Sequence, residues 1–230
     1  MKNSLLFSLF FLSAFILLIN GCSKNSSPAE PSDENFFTDS THHDSVVVRK
    51  PNIYLYPETK TSISVSLLFP SGGTILESMP EYLTGWKIEA GPDGKINNSY
   101  DFLFYECRTP DLYQYNSGWT IERDSLFLFF QLNLAKTGFS EKEINDFIEY
   151  WIPRLSDYPF YIIYPQYSED IEKAIKLDII PAPDNTIRLF YVIKGSEKNN
   201  SILFLPVLPK FKREGFVAAE WGAVLKQGKL

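Results

Sequence analysis

The sequence predicts an α+β fold: one domain of largely antiparallel β-sheet with two central helices. Three observations predict it. Strand-like runs of period two fill residues 46–107, the apolar period changes to a helical one between residues 125 and 153, and strand-like runs return from residue 160 to 225. No internal repeat interrupts that order.

Taken in order, residues 46–49 and 52–56 read as short strands separated by Pro51 and closed by Pro57, because proline cannot donate to an interior ladder. Residues 61–69 alternate, with Ile63, Val65 and Leu67 on one side and Ser62, Ser64 and Ser66 on the other: a half-buried strand. Ser71-Gly72-Gly73 is a turn signal, so residues 74–79 are expected to return as the hairpin partner. Trp86 and Ile88 keep period two ahead of the turn Gly91-Pro92-Asp93-Gly94. Residues 100–107 are apolar on both faces, as in a strand covered on both sides.

Residues 125–136 keep helical spacing through Leu126, Phe129, Phe130 and Asn133 and stop at Gly138. Ser140 and Glu143 then have the spacing of a capping box, in which each side chain bonds the other's backbone N–H. Ile144, Phe147, Ile148 and Trp151 follow at i, i+3, i+4 and i+7, and Pro153 ends that helix. Residues 160–164, 174–180, 186–193, 202–205 and 216–225 read as strands, with a short helix at 168–173 and a bend at Pro181-Ala182-Pro183-Asp184.

Hydrophobic residues make up 44% of the chain and aromatics 16%, enough to fill a core and too many for a disordered segment. The net charge is −6, and −7 without Lys2. A chain so acidic, with no basic stripe, is not expected to bind nucleic acid or to adsorb on anionic lipid through its own side chains.

The first residues carry an address. Lys2 is followed by an apolar run from Leu5 to Ile19 and then by Asn20-Gly21-Cys22, a small residue before a cysteine. This resembles a bacterial lipoprotein signal, in which residues 1–21 are removed and Cys22 carries the lipid. The run is too short for the ~20 apolar residues of a spanning helix. Residues 22–45 then form the lipidated cysteine and a tether rich in Ser, Asn, Pro, Asp and Glu, whose flexible reach is about 25 Å. The globular domain is residues 46–230. The expected location is lipid-anchored and extracytoplasmic, at the cell membrane or outer membrane, with the bilayer as one partner and a glycan or protein as a second.

Several phrases span the domain: Lys50-Pro51-Asn52-Ile53-Tyr54-Leu55-Tyr56-Pro57, Gly85-Trp86-Lys87-Ile88-Glu89-Ala90 with Pro92-Asp93-Gly94, Glu143 to Pro153, Pro181 to Asp184, and Glu220-Trp221-Gly222. In these phrases the chain resembles a group of uncharacterised bacterial exported proteins and lipoproteins. The resemblance implies export and a single module, and it transfers no catalytic residue.

Candidate chemistry is sparse. Cys107 has Glu106 beside it, but the only histidines, His42 and His43, lie in the tether, so an inert buried thiol is expected. Glu106, Asp184 and Glu220 are acids bordering strands, and two carboxylates facing each other would be the machinery of a glycan or peptide hydrolase. The competing expectation pairs Glu106 or Glu220 with Arg154 or Arg188, since an acid in an apolar strand must be neutralised there. No spacing predicts a metal site or a cofactor. Trp86, Tyr113, Tyr115 and Trp119 are candidate ligand-stacking aromatics, with Tyr113-Gln114-Tyr115-Asn116 expected at the surface. A non-catalytic binding or scaffolding module is the leading functional expectation.

Overall fold

The computed structural model describes residues 44–199 and 203–226. The expected leader, Cys22 and nearly all of the tether, including His42 and His43, lie outside the described residues. The chain divides into Met1–Ser40 and Thr41–Leu230, and the described residues belong to the second unit.

The architecture is α+β, in three layers. A seven-stranded sheet in the order β3-β5-β1-β10-β9-β7-β6 forms the middle. Its strands are β1 (Ser45–Tyr56), β3 (Thr74–Met79), β5 (Leu103–Pro110), β6 (Trp119–Glu122), β7 (Phe160–Tyr167), β9 (Asn185–Ser196) and β10 (Val217–Lys226). On one face lies a smaller sheet, in the order β4 (Trp86–Ala90), β2 (Thr61–Leu68), β8 (Lys176–Ile180). On the other face lie α1 (Leu126–Thr137) and α2 (Glu141–Trp151), while α3 (Ser168–Ala174) leads from β7 into β8. Each face of the large sheet therefore has its own core. Ile53, Leu103, Tyr105, Phe190 and Val192 face the small sheet, whereas Tyr54, Leu189, Tyr191 and Trp221 face the helices.

Local chemistry accounts for the helix layer. Ser140 Oγ accepts from the Glu143 N–H, and the Glu143 carboxylate accepts from the Ser140 N–H at 2.7 Å, so the capping box forms as its spacing predicts. Gly138 closes α1 in the left-handed region, φ 109°, where a side chain would be strained. Asn133, on the predicted helical stripe, accepts the Tyr191 hydroxyl at 2.5 Å and so ties α1 to β9.

Three expectations change. Residues 45–56 form one strand rather than two, because the chain absorbs Lys50-Pro51 as a β-bulge: Lys50 takes φ 56°, and the register shifts against both β10 and β5. Residues 74–79 do not return on β2. They pair with β5 in the other sheet, and β2 lies between β4 and β8. The Ser71-Gly72-Gly73 turn thus passes the chain from one sheet to the other instead of closing a hairpin. The strand expected at 202–205 is reduced to a single bridge of Phe204 to Ser117, with residue 202 outside the described residues.

Every pairing between named strands is antiparallel except β9 with β10. A parallel pair cannot be joined by a tight turn. The return from β9 to β10 accordingly runs through residues 197–216, whose last part, 203–216, is a strap that packs Leu203 and Phe216 at its ends into the small-sheet core and carries Phe211 and Arg213 to the helix side. Phe204 bonds Asn116 and Gly118, Phe211 packs beside Gly138, and the Arg213 guanidinium meets the Glu143 carboxylate at 3.0 and 3.1 Å.

Candidate functional site

Hydrolysis by paired carboxylates would need two of Glu106, Asp184 and Glu220 to face each other. Along β5, Tyr105 and Cys107 face the small sheet, which turns Glu106 to the opposite face, where its carboxylate lies 3.5 Å from Arg49. Glu220 on β10 faces the small sheet and is fully buried. Its Oε2 accepts from Arg188 Nε at 2.6 Å and its Oε1 from the Tyr105 hydroxyl at 2.8 Å. Arg188 stands directly across from Glu220 in the parallel β9–β10 register. Asp184 lies in the turn before β9, where its carboxylate accepts the Phe216 N–H at 2.7 Å and fixes the entry to β10. The three acids are thus separately engaged, and Glu106 and Glu220 project from opposite faces of one sheet. Arg154, the other expected partner, donates instead to the Tyr150 carbonyl at 2.6 Å.

The Arg188–Glu220 pair is closed off from solvent, its side chains 2% and 0% exposed. Burial pulls the Arg188 pKa down, but the adjoining Glu220 carboxylate outweighs it and holds the guanidinium above its ordinary value. Burial, reinforced by Glu220, pushes the Tyr105 hydroxyl well up, so it serves as a donor to the carboxylate. Arg188 Nη1 donates to the Ile175 carbonyl at 3.0 Å, while the buried Nη2 has no partner.

Cys107 is fully buried, and its thiol is driven far up, first by burial and then by Glu220 and Glu106. An unionised, enclosed thiol is a poor nucleophile. In a full chain carrying Cys22→Ser, Cys107 should therefore resist iodoacetamide at pH 8 while folded and react with one equivalent after unfolding in urea. Mass spectrometry of the two samples checks it, and rapid labelling of the folded chain would refute the enclosed thiol.

The four predicted aromatics do not gather on one face. Trp86 is buried between the sheets, and its Nε1 donates to the Pro80 carbonyl at 2.7 Å. Tyr113 is buried in the same core, and Tyr115 meets Tyr164 edge to face and donates its hydroxyl to Asp111. Trp119 lies in the helix-side core against Phe129. Of the segment expected at the surface, Asn116 alone is exposed; Gln114 exchanges hydrogen bonds with buried Gln166. Among the described residues no group of three or more His, Cys, Asp and Glu is placed to hold a metal, and no helix is long and apolar enough to cross a membrane.

The site that local patterns missed lies under the strap. A groove of about 380 Å³ runs between the end of β7 with the start of α3 (Tyr167, Glu169, Asp170), the start of β9 (Thr186, Ile187) and the strap (Val207, Pro209, Lys210, Phe211). Its floor is aromatic and aliphatic, and its rim carries both signs of charge. The Tyr167 hydroxyl is enclosed without a partner, and burial pushes its pKa up to about 12, so it is neutral at physiological pH. Arg188 contributes to the groove from β9, while its guanidinium turns to the opposite face of the sheet. No local sequence pattern marks this groove, because the long-range parallel pairing of β9 with β10 creates it.

Comparison of the chain with protein-family models, with curated proteins and with solved structures finds no match.

Proposed function

We propose that this chain is a lipoprotein of the bacterial cell envelope, anchored through acylated Cys22 to the cell membrane or outer membrane, whose extracytoplasmic domain binds a ligand rather than transforming one. The observation that carries the binding reading is the strap groove: a concave apolar floor and a rim of Glu169, Asp170 and Lys210. An apolar concavity with a few convergent polar groups is the usual form of a small-ligand or peptide subsite. The lipoprotein leader supplies the address, and the engagement of Glu106, Asp184 and Glu220 by partners of their own favours binding over paired-carboxylate hydrolysis.

The test uses the full-length protein in detergent, titrated with soluble envelope glycan fragments and with short peptides, and followed by tyrosine and tryptophan fluorescence. One of these sets binds, and Val207→Asp and Lys210→Glu, both at exposed positions, weaken it about tenfold while leaving the unfolding temperature in place. Binding that ignores both substitutions, or product formation abolished by Glu220→Gln in a folded chain, contradicts the proposal.

A further inference from the structure

A second, separate depression of about 280 Å³ lies where the β1 bulge meets the end of α2, lined by Lys50, Asn52, Phe102, Asp146, Glu149, Tyr150 and Arg154. Two of its groups lack the partners that such groups ordinarily have. The half-buried Lys50 ammonium stands 4.4 Å from the Phe104 ring centroid, 4.8 Å from that of Phe102 and 5.6 Å from that of Tyr150, with no carboxylate of the described residues within ion-pair distance. Burial pulls its pKa down, against Asp146, Glu106 and Glu77, which pull it up. Asn52 is fully buried: its Nδ2 donates to the Tyr54 hydroxyl at 3.3 Å, and its Oδ1 has no partner. Buried amide oxygens are rarely left unbonded, and each exception calls for a water or a ligand.

The charges around these two groups are of both signs. Arg154 lies over the Tyr150 ring at 3.7 Å, so that ring has Arg154 and Lys50 near it. Asp146 is held through Oδ2 by the Tyr54 hydroxyl at 2.9 Å and by Lys142 at 3.0 Å, and Glu149 is exposed beside it. A lone anion drawn to Lys50 and Arg154 would meet Asp146 and Glu149, and a lone cation would meet the two bases. A ligand carrying both charges on a small frame satisfies the whole set, since like-charge contacts penalise its singly charged competitors.

From this complementarity we infer that the Lys50–Arg154 depression is a binding site for a free α-amino acid, whose carboxylate is held by Lys50 and Arg154 and whose ammonium is held by Asp146, Glu149 and the Asn52 amide oxygen. The bulge is the device that makes the site. Its register shift against both neighbouring strands places Lys50 in the left-handed region and at the rings, instead of leaving it in the ladder. The site is distinct from the strap groove and does not depend on it.

The experiment is isothermal titration calorimetry of the full-length protein with three probes: alanine, N-acetylalanine, which lacks the ammonium, and alanine amide, which lacks the carboxylate. Alanine binds, and each analogue binds about tenfold more weakly or not at all, as expected when one charge-assisted contact is lost. Lys50→Gln and Arg154→Gln each weaken alanine about tenfold. Arg154 is an exposed side chain, so that variant keeps its unfolding temperature and decides the matter even where Lys50→Gln does not fold. Val207→Asp in the strap leaves alanine binding unchanged, which separates the failure of this site from the failure of the groove. The assignment is overturned by no alanine binding, by equal binding of all three probes, or by alanine binding unaffected in Arg154→Gln.

Discussion

Arg188→Met lowers the stability of the folded chain by about 3–5 kcal/mol, the usual cost of leaving one member of a buried ion pair behind. Glu220 is fully buried, and with the guanidinium gone only the Tyr105 hydroxyl remains on its carboxylate. The carboxylate must then take up a proton or stay charged in an apolar core, and both cost free energy. The double variant Arg188→Met with Glu220→Leu recovers most of the loss, because removing both charges also removes the cost of desolvating them. Chemical denaturation of the wild type, Arg188→Met, Glu220→Leu and the double variant closes the cycle. Arg188→Met within 1 kcal/mol of wild type would mean that the pair is not closed off from water as described.

Phe147→Ala has a comparable effect, about 3–5 kcal/mol, by a different mechanism. The Phe147 ring is fully buried at the centre of the helix-side core, 5.0 Å from Phe130, 5.2 Å from Trp221 and 5.6 Å from Tyr191, centroid to centroid. Its neighbours come from α1, β10 and β9, which are fixed by their own hydrogen bonds and cannot collapse into the cavity. The contrast is Phe127→Ala on α1, half exposed at 51%, which stays within about 0.5 kcal/mol of wild type. Equal losses at the two positions would show that the packing assigned to α1 and α2 is wrong.

What the sequence made legible was whatever depends on near neighbours. Ser140 and Glu143 are three residues apart, and their capping box forms as spaced. Gly138 ends a helix because its own backbone takes the required conformation. The alternation of Ile63, Val65 and Leu67 marks a buried face whichever strand pairs beside it.

What stayed hidden depends on distant chain. Pro51 reads as a break because it lacks an N–H, yet the ladder accommodates it at a bulge, and nothing nearby announces the partners β5 and β10. The turn at Ser71-Gly72-Gly73 has hairpin chemistry, but β2 is claimed on both edges by β4 and β8, so residues 74–79 must pair elsewhere.

The acids follow the same division. That a strand glutamate needs an arginine is legible from its apolar neighbours, whereas the choice of Arg188 for Glu220 and Arg49 for Glu106 is set by strand register. Trp86 and Tyr113 resemble binding aromatics in composition, but two faces of one sheet needed filling, and both went to the core. The strap groove had no local pattern to reveal it, being created by the parallel return from β9 to β10.

The central claim is that a binding domain is held at the envelope by one acylated sulfur. It is tested most directly by mass spectrometry of the N-terminal peptide of the mature protein isolated from bacterial membranes. The account predicts a chain that begins at Cys22, lacks residues 1–21 and carries the mass of attached acyl groups. A chain that begins elsewhere, or one recovered free in the medium with that cysteine unmodified, contradicts it.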